Sequence, residues 1–136
     1  MRARGFTLLE LLVVIVIIGL LAGYVAPRYF SQVGRSEIQV ARAQIDSLAK
    51  ALDQYRLDVR RYPSPEEGLE ALVARPASAS NWNGPYLRKA VPADPWGRPY
   101  LYRSPGSKPG YDFEVVSFGR DGKAGGSGED ADLGVR

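Results

Sequence analysis

Apolar residues fill the start of the chain and then recur with a helical period. The run from residue 6 to residue 26 contains one charged residue, Glu10, and as a helix it would be about 31 Å long, close to the thickness of a bilayer core. After Pro27, apolar residues return every three or four positions, at Ile38, Ala41, Ile45, Leu48, Leu52, Tyr55 and Val59. The pattern predicts a membrane helix that continues as an amphipathic helix to about Arg60, with a bend near Pro27.

The remainder of the chain has the short apolar segments and turn residues of a small sheet. Pro65 and the two acidic residues after it predict a short helix to about Val73. Residues 100–103 and 111–118 are predicted as strands, because each is apolar and bounded by proline and glycine. The expected fold class is therefore α+β, with a long N-terminal helix packed on a small antiparallel sheet.

Composition removes several kinds of chemistry. The 136 residues include no cysteine and no histidine, which excludes disulfides, thiolate catalysis, cysteine-bound zinc and the usual general base. The formal net charge of +3 is too small to indicate nucleic-acid binding. We therefore expect a protein that is not an enzyme and has no nucleic-acid partner.

The segment before the apolar run has a specific pattern, Arg4-Gly5-Phe6-Thr7-Leu8-Leu9-Glu10. It resembles the prepilin peptidase signal of type IV pilins and secretion pseudopilins. The resemblance implies that a prepilin peptidase removes the leader, residues 1–5, by cutting between Gly5 and Phe6, and that the new N-terminus on Phe6 is methylated. A conventional signal peptidase site is poorly placed, because Ala26 is followed by proline. The basic leader predicts that the chain's N-terminus stays cytoplasmic.

Glu10 is the one charge in the predicted membrane span. A carboxylate at such a position costs a few kcal/mol unless it has a partner, and cleavage after Gly5 creates an ammonium group on Phe6. Pairing between Glu10 of one subunit and Phe6 of its neighbour would set the axial register of a filament. The alternative is that Glu10 lies among lipid headgroups without a partner.

Three further segments resemble one family in particular. Residues 62–72, 84–87 and 94–100 (YPSPEEGLEAL, GPYL and DPWGRPY) are similar to the major pseudopilin of type II secretion systems. The resemblance implies a type IV pilin-like fold, a transmembrane helix over residues 6–29 in the bacterial inner membrane and a periplasmic domain over residues 30–136. It also implies self-assembly into a helical filament, with other pseudopilins and an inner-membrane assembly platform as partners. The alternatives are a type IV pilus subunit or minor pseudopilin, and a membrane-tethered periplasmic binding or hydrolytic domain.

Four carboxylates occur in a glycine-rich tail, at Asp121, Glu129, Asp130 and Asp132. Clustered oxygens in a flexible loop suit calcium, although Lys123 rules out an EF-hand. In the resembled family a loop of this kind holds a structural calcium, which implies Asp121 and Asp132 as ligands, and Asp130 is added for its proximity. The alternative is a solvated acidic tail that binds no metal.

Overall fold

The computed structural model describes residues 4–135. Its elements in chain order are helix α1 (Leu8–Val59), a 3-10 helix (Leu69–Leu72), strands β1 (Leu101–Arg103) and β2 (Glu114–Ser117), a second 3-10 helix (Gly128–Asp130) and strand β3 (Leu133–Val135). The predicted α+β class is confirmed, as are the long helix and the small antiparallel sheet. Residues 1–3 of the predicted leader, and Arg136, lie outside the described residues.

The chain forms two compact units, one ending at Arg35 and the other beginning at Ser36. In the first unit, residues 4–33 are exposed throughout. Helix α1 is long and apolar enough there to cross a membrane. The predicted division between residues 29 and 30 concerns the border of the membrane and stays a prediction. Pro27 lies inside α1, and the helical assignment continues through it, so the bend expected there also stays a prediction.

The amphipathic part of α1 buries the face that the sequence predicts. Five residues of the apolar stripe are no more than 4% exposed: Ala41, Ile45, Leu48, Leu52 and Tyr55. Ile38 and Val59, at the two ends of the stripe, are partly buried. Arg42, Asp46, Lys50 and Asp53 lie on the solvent side. The helix ends where Arg60 adopts a left-handed conformation, with φ of 69°, which breaks the helical hydrogen-bond pattern.

The sheet has three antiparallel strands in the order β1-β2-β3. Leu101 pairs with Val116, and Ser117 pairs with Leu133. Val115 on the central strand is fully buried and Leu133 is nearly so, and both belong to the same core cluster as the stripe of α1. Strand β3 lies within the tail, for which the sequence predicted only a loop.

The short helix predicted to start at Pro65 is wrong in extent. Residues 65–68 form a turn, and only Leu69–Leu72 is helical, as a 3-10 helix. Ser64 and Glu67 exchange hydrogen bonds: the Ser64 amide donates to Glu67 Oε2 (2.8 Å) and the Glu67 amide donates to Ser64 Oγ (3.3 Å). Gly68 then takes a positive φ of 59°, a conformation that an α-helix does not allow.

Candidate functional site

The predicted processing site lies just before the first turn of α1. Gly5 is followed by Phe6, which is exposed, and a side chain at Gly5 would meet nothing within 4 Å. The glycine is therefore not required by packing in the isolated chain. Its place next to the start of an exposed apolar helix suits recognition by a second protein.

Glu10 stands in the first turn of α1, next to the helix cap. The Glu10 amide donates a hydrogen bond to Thr7 Oγ1 at 3.2 Å, so Thr7 caps the helix and Glu10 occupies the third helical position. The T-x-x-E spacing of residues 7–10 is the sequence signature of such a cap. Because the Thr7 hydroxyl satisfies the Glu10 amide, the exposed carboxylate of Glu10 is available to a cation, and it has no ion pair within residues 4–135.

The acidic tail is closed at its base by the sheet. The loop that joins β2 to β3 begins and ends at two residues that are paired across the sheet, Ser117 and Leu133. Just after β2, Gly119 has φ of 69°, and a Cβ there would lie 2.8 Å from the Ala131 carbonyl oxygen. Only glycine permits this close return of the chain. The backbone of the loop therefore follows a defined path in the fold.

Asp121 and Asp132 are both turned toward the backbone of the loop. Asp121 Oδ1 accepts a hydrogen bond from the Lys123 amide at 3.1 Å, and Asp132 Oδ2 accepts one from the Gly125 amide at 2.9 Å. Neither carboxylate has an ion pair with a described residue. Each retains a second oxygen of the hard type that calcium binds.

Asp130 is placed differently, against an arginine of the same loop. Arg120 Nε donates to Asp130 Oδ1 at 3.1 Å, and Arg120 Nη1 donates to Glu129 Oε2 at 2.6 Å. The two carboxylates therefore share the single positive charge of Arg120. The hydrogen bond to Asp130 is the largest cause that raises the pKa of Arg120. Within the part of the chain that the structure describes, no three acidic side chains come together as a metal site.

A second arginine, Arg98, holds the beginning of the loop. Its Nη1 donates to the carbonyl oxygens of Gly119 and Arg120, each at 3.1 Å. The buried Asp94 positions Arg98, since Asp94 Oδ1 accepts the Arg98 amide at 2.8 Å and Asp94 Oδ2 accepts Ser117 Oγ at 2.8 Å. The sequence placed Asp94 and Arg98 in a segment that resembles the pseudopilin family and did not predict this role. The alternation of polar and apolar residues gave no sign that the turn and the tail meet.

Comparison with known proteins gives concordant matches. The family model described as type II secretion system protein G matches residues 28–136, and the prokaryotic N-terminal methylation motif matches residues 1–26. The chain is 47% identical to the type II secretion system core protein G of Pseudomonas aeruginosa, over 98% of this chain and 94% of the relative. It is 44% identical to that of Vibrio cholerae, over 98% and 91%.

A solved structure agrees with these sequence matches. The crystal structure of the major pseudopilin from the type 2 secretion system of enterohaemorrhagic Escherichia coli matches with a TM-score of 0.60 and 36% sequence identity. The match covers 74% of this chain and 86% of that one. The predicted pilin-like architecture is thereby confirmed by a solved relative.

Proposed function

The chain belongs to the type II secretion system protein G family, and from this membership we infer that it is the major pseudopilin, a structural subunit that assembles into the filament of the secretion system. The observation that carries the inference is the match of the whole domain, residues 28–136, in addition to the N-terminal motif. A type IV pilus subunit shares the N-terminal motif alone, so the domain match favours the pseudopilin. We propose no catalytic role for the chain.

We propose that the apolar part of α1 anchors the subunit in the bacterial inner membrane before assembly, with residues 30–136 in the periplasm. Support comes from the exposed apolar side chains of residues 6–26 and from the match to the methylation motif. Prepilin peptidase would cut between Gly5 and Phe6 and methylate Phe6. The other pseudopilins and the assembly platform of the inner membrane are the proposed partners.

Glu10 is proposed to set the register of the filament through the Phe6 ammonium group of a neighbouring subunit. The Thr7 cap supports this role, because the Thr7 hydroxyl satisfies the Glu10 amide and leaves the Glu10 carboxylate for an intermolecular partner. A carboxylate in an apolar assembly is costly when it is unpaired, so subunits that cannot form the pair should fail to assemble.

The test replaces Glu10 with glutamine and measures processing, membrane insertion and filament yield in cells that contain the secretion system. We expect Glu10→Gln to be processed and inserted normally and to lose filaments at least tenfold. Glu70→Gln is the matched control, because Glu70 is exposed on the folded domain and the same charge is removed. Normal filament yield from Glu10→Gln would overturn the register proposal. Surface fibres that persist without the secretion channel would favour the pilus subunit.

We propose in addition that the acidic loop binds calcium through Asp121, Asp130 and Asp132. The donor set supports this for Asp121 and Asp132, whose carboxylates bear no ion pair with a described residue and stand in a loop that also offers backbone carbonyl oxygens. Asp130 would have to exchange its Arg120 partner for the ion. The metal would supply a structural cross-link in a domain that has no disulfide.

A further inference from the structure

The end of the apolar span of α1 carries aromatic side chains on all sides of the helix. Tyr24, Tyr29 and Phe30 are 61%, 67% and 71% exposed. At about 100° per residue, Tyr29 and Phe30 lie roughly 140° and 240° around the helix from Tyr24. Protein contacts on a helix are normally made through one stripe. Aromatic side chains on all sides of the helix instead suit an environment that is the same on every side.

Arg28 is the first charged residue after Glu10, and its side chain is turned toward the apolar span. The guanidinium carbon lies 4.6 Å from the centre of the Tyr24 ring, one helical turn nearer the N-terminus. Tyr29 and Phe30 form an edge-to-face pair with ring centres 6.2 Å apart. Arginine and tyrosine both have apolar bodies and polar ends, and such side chains are enriched where a membrane meets water.

The spacing between the two charged borders fits a bilayer. Glu10 and Arg28 are separated by 18 residues, or about 27 Å along the helix. This is close to the hydrocarbon thickness of about 30 Å. With Glu10 at one border, Arg28 falls near the opposite edge of the hydrocarbon layer, and Tyr24, about 21 Å from Glu10, lies roughly one turn inside that edge. A guanidinium group at this edge is within reach of phosphate oxygens, which it binds in a planar, bidentate manner.

We propose that Tyr24, Arg28, Tyr29 and Phe30 form an interfacial belt that contacts phospholipid headgroups and sets how deeply α1 sits in the membrane. The inference rests on the proposed membrane anchoring and adds to it the residues that fix the depth. Without the belt, the preference of Glu10 for water at the opposite border should draw the helix toward the Glu10 side. Residues after the belt would then enter the hydrocarbon layer.

The absence of cysteine from the chain makes a direct test straightforward. Single cysteines replace Ala22, Ala26, Gln32 or Gln39 in the full chain, carry a nitroxide label, and are reconstituted in phosphatidylethanolamine and phosphatidylglycerol vesicles. Frequent collision of the label with oxygen indicates that it lies in the hydrocarbon layer. Frequent collision with a water-soluble nickel chelate indicates that it lies in water. We expect the label at position 22 to be accessible to oxygen and the labels at positions 32 and 39 to be accessible to the nickel chelate. The crossover, the position at which access changes from oxygen to the chelate, should lie near residue 26.

The double variant Tyr24→Leu, Arg28→Gln should move the crossover toward the C-terminus by about one helical turn. Arg35→Gln is the matched control, since it removes the same charge from an exposed position of the same helix, and it should leave the crossover in place. An unchanged crossover in the double variant would overturn the proposal while leaving the anchor intact.

Two other outcomes also decide the question. Water access at position 22 in the parent chain would overturn both the anchor and the belt. A crossover that shifts with the ratio of protein to lipid would show that a second copy of the chain covers these residues, and the belt proposal would then be wrong.

Discussion

Individual side chains of the core show both satisfied and unsatisfied polar groups. Tyr55 on α1 is fully buried and packs edge-to-face on Tyr86, with ring centres 5.7 Å apart. Its hydroxyl is the buried side-chain polar atom without a hydrogen-bond partner among the described residues. The hydroxyl of Tyr102, by contrast, donates to the Pro63 carbonyl oxygen at 2.8 Å. The sequence predicted that Tyr55 is buried, but it could not predict which hydroxyl finds a partner.

Replacing Tyr55 with phenylalanine should therefore leave the domain as stable as before, or raise its free energy of unfolding by up to about 1 kcal/mol, because a buried polar group without a partner is costly. Tyr102→Phe should lower it by about 1 kcal/mol, since a hydrogen bond is lost. Urea unfolding followed by the fluorescence of Trp82 and Trp96 measures both variants. A loss in Tyr55→Phe that equals the loss in Tyr102→Phe would contradict the prediction.

Arg61 and Glu67 form a bidentate ion pair directly after α1, with distances of 2.7 and 2.8 Å. Glu67 also accepts hydrogen bonds from the Ser64 amide and from the Ser78 hydroxyl. The Arg61 hydrogen bond, above all, lowers the pKa of Glu67 from 4.5 to about 2. The ionised carboxylate therefore stabilises the fold above pH 4.5, and this contribution is lost as the pH falls from 4.5 toward 2.

Glu67→Gln should remove that part of the acid sensitivity. We expect the parent to lose about 1–2 kcal/mol from this group between pH 5 and pH 2, a value reduced for solvent screening at the partly exposed Arg61. Equilibrium unfolding at a series of pH values in this window checks the slope. Glu70→Gln serves as the control with an exposed carboxylate. A Glu67→Gln slope as steep as that of the parent would refute the role of the pair.

At the scale of elements, helix α1 followed the sequence pattern closely and the tail did not. The three-and-four spacing of apolar residues predicted the end of α1 and its buried face. The apolar run of residues 111–118 located β2, which begins only at Glu114. Strand β3 is three residues long, which is too short for a period to be visible. The strand forms because Leu133 and Val135 pair with residues of β2. This contact joins separate segments of the chain, so a local sequence pattern does not predict it.

The buried face of α1 can be tested against its exposed face. Leu52 is fully buried, whereas Val40 is 46% exposed on the same helix. Leu52→Ala should lower the free energy of unfolding by about 2–5 kcal/mol, because it leaves a cavity in the core. Val40→Ala should change it by no more than about 0.5 kcal/mol. Thermal unfolding of both variants by tryptophan fluorescence measures the difference, and similar losses would contradict the assignment of the faces.

The whole molecule combines an exposed apolar segment with a small domain that has few strands and no disulfide. Family, filament role and the long apolar helix were predictable from the sequence, because each depends on a motif or on composition. The arrangement of the acidic loop was not, since Arg98 reaches the loop from a separate turn and Arg120 pairs with Glu129 and Asp130 inside it, and no local pattern indicates either contact. Calcium binding stays a prediction at this scale.

Calcium should raise the melting temperature of the full chain in detergent if the loop binds it in the native state. Saturation at a hundred times Kd corresponds to about 2.7 kcal/mol, and each kcal/mol to roughly 4–8 °C in a domain of this size. The response to calcium against a chelator should vanish in Asp121→Asn and in Asp132→Asn and persist in Glu70→Gln. An equal melting temperature with calcium and with chelator would contradict calcium binding and indicate that the loop is a solvated acidic segment.

The contacts that fasten α1 to the rest of the domain also govern how the chain folds in time. Trp96 Nε1 donates to Glu37 across 59 positions of sequence, and Tyr100 donates to Gln44 across 56. A helix forms within about a microsecond, whereas such distant closures are slow and entropically costly. In the proposed topology the N-terminus stays cytoplasmic and the segment after the membrane span crosses first, so the apolar stripe of α1 would reach the periplasm before residues 96–100 emerge to cover it. We therefore expect the newly exported subunit to need protection of this stripe, for example by a periplasmic chaperone, until residues 96–100 have crossed.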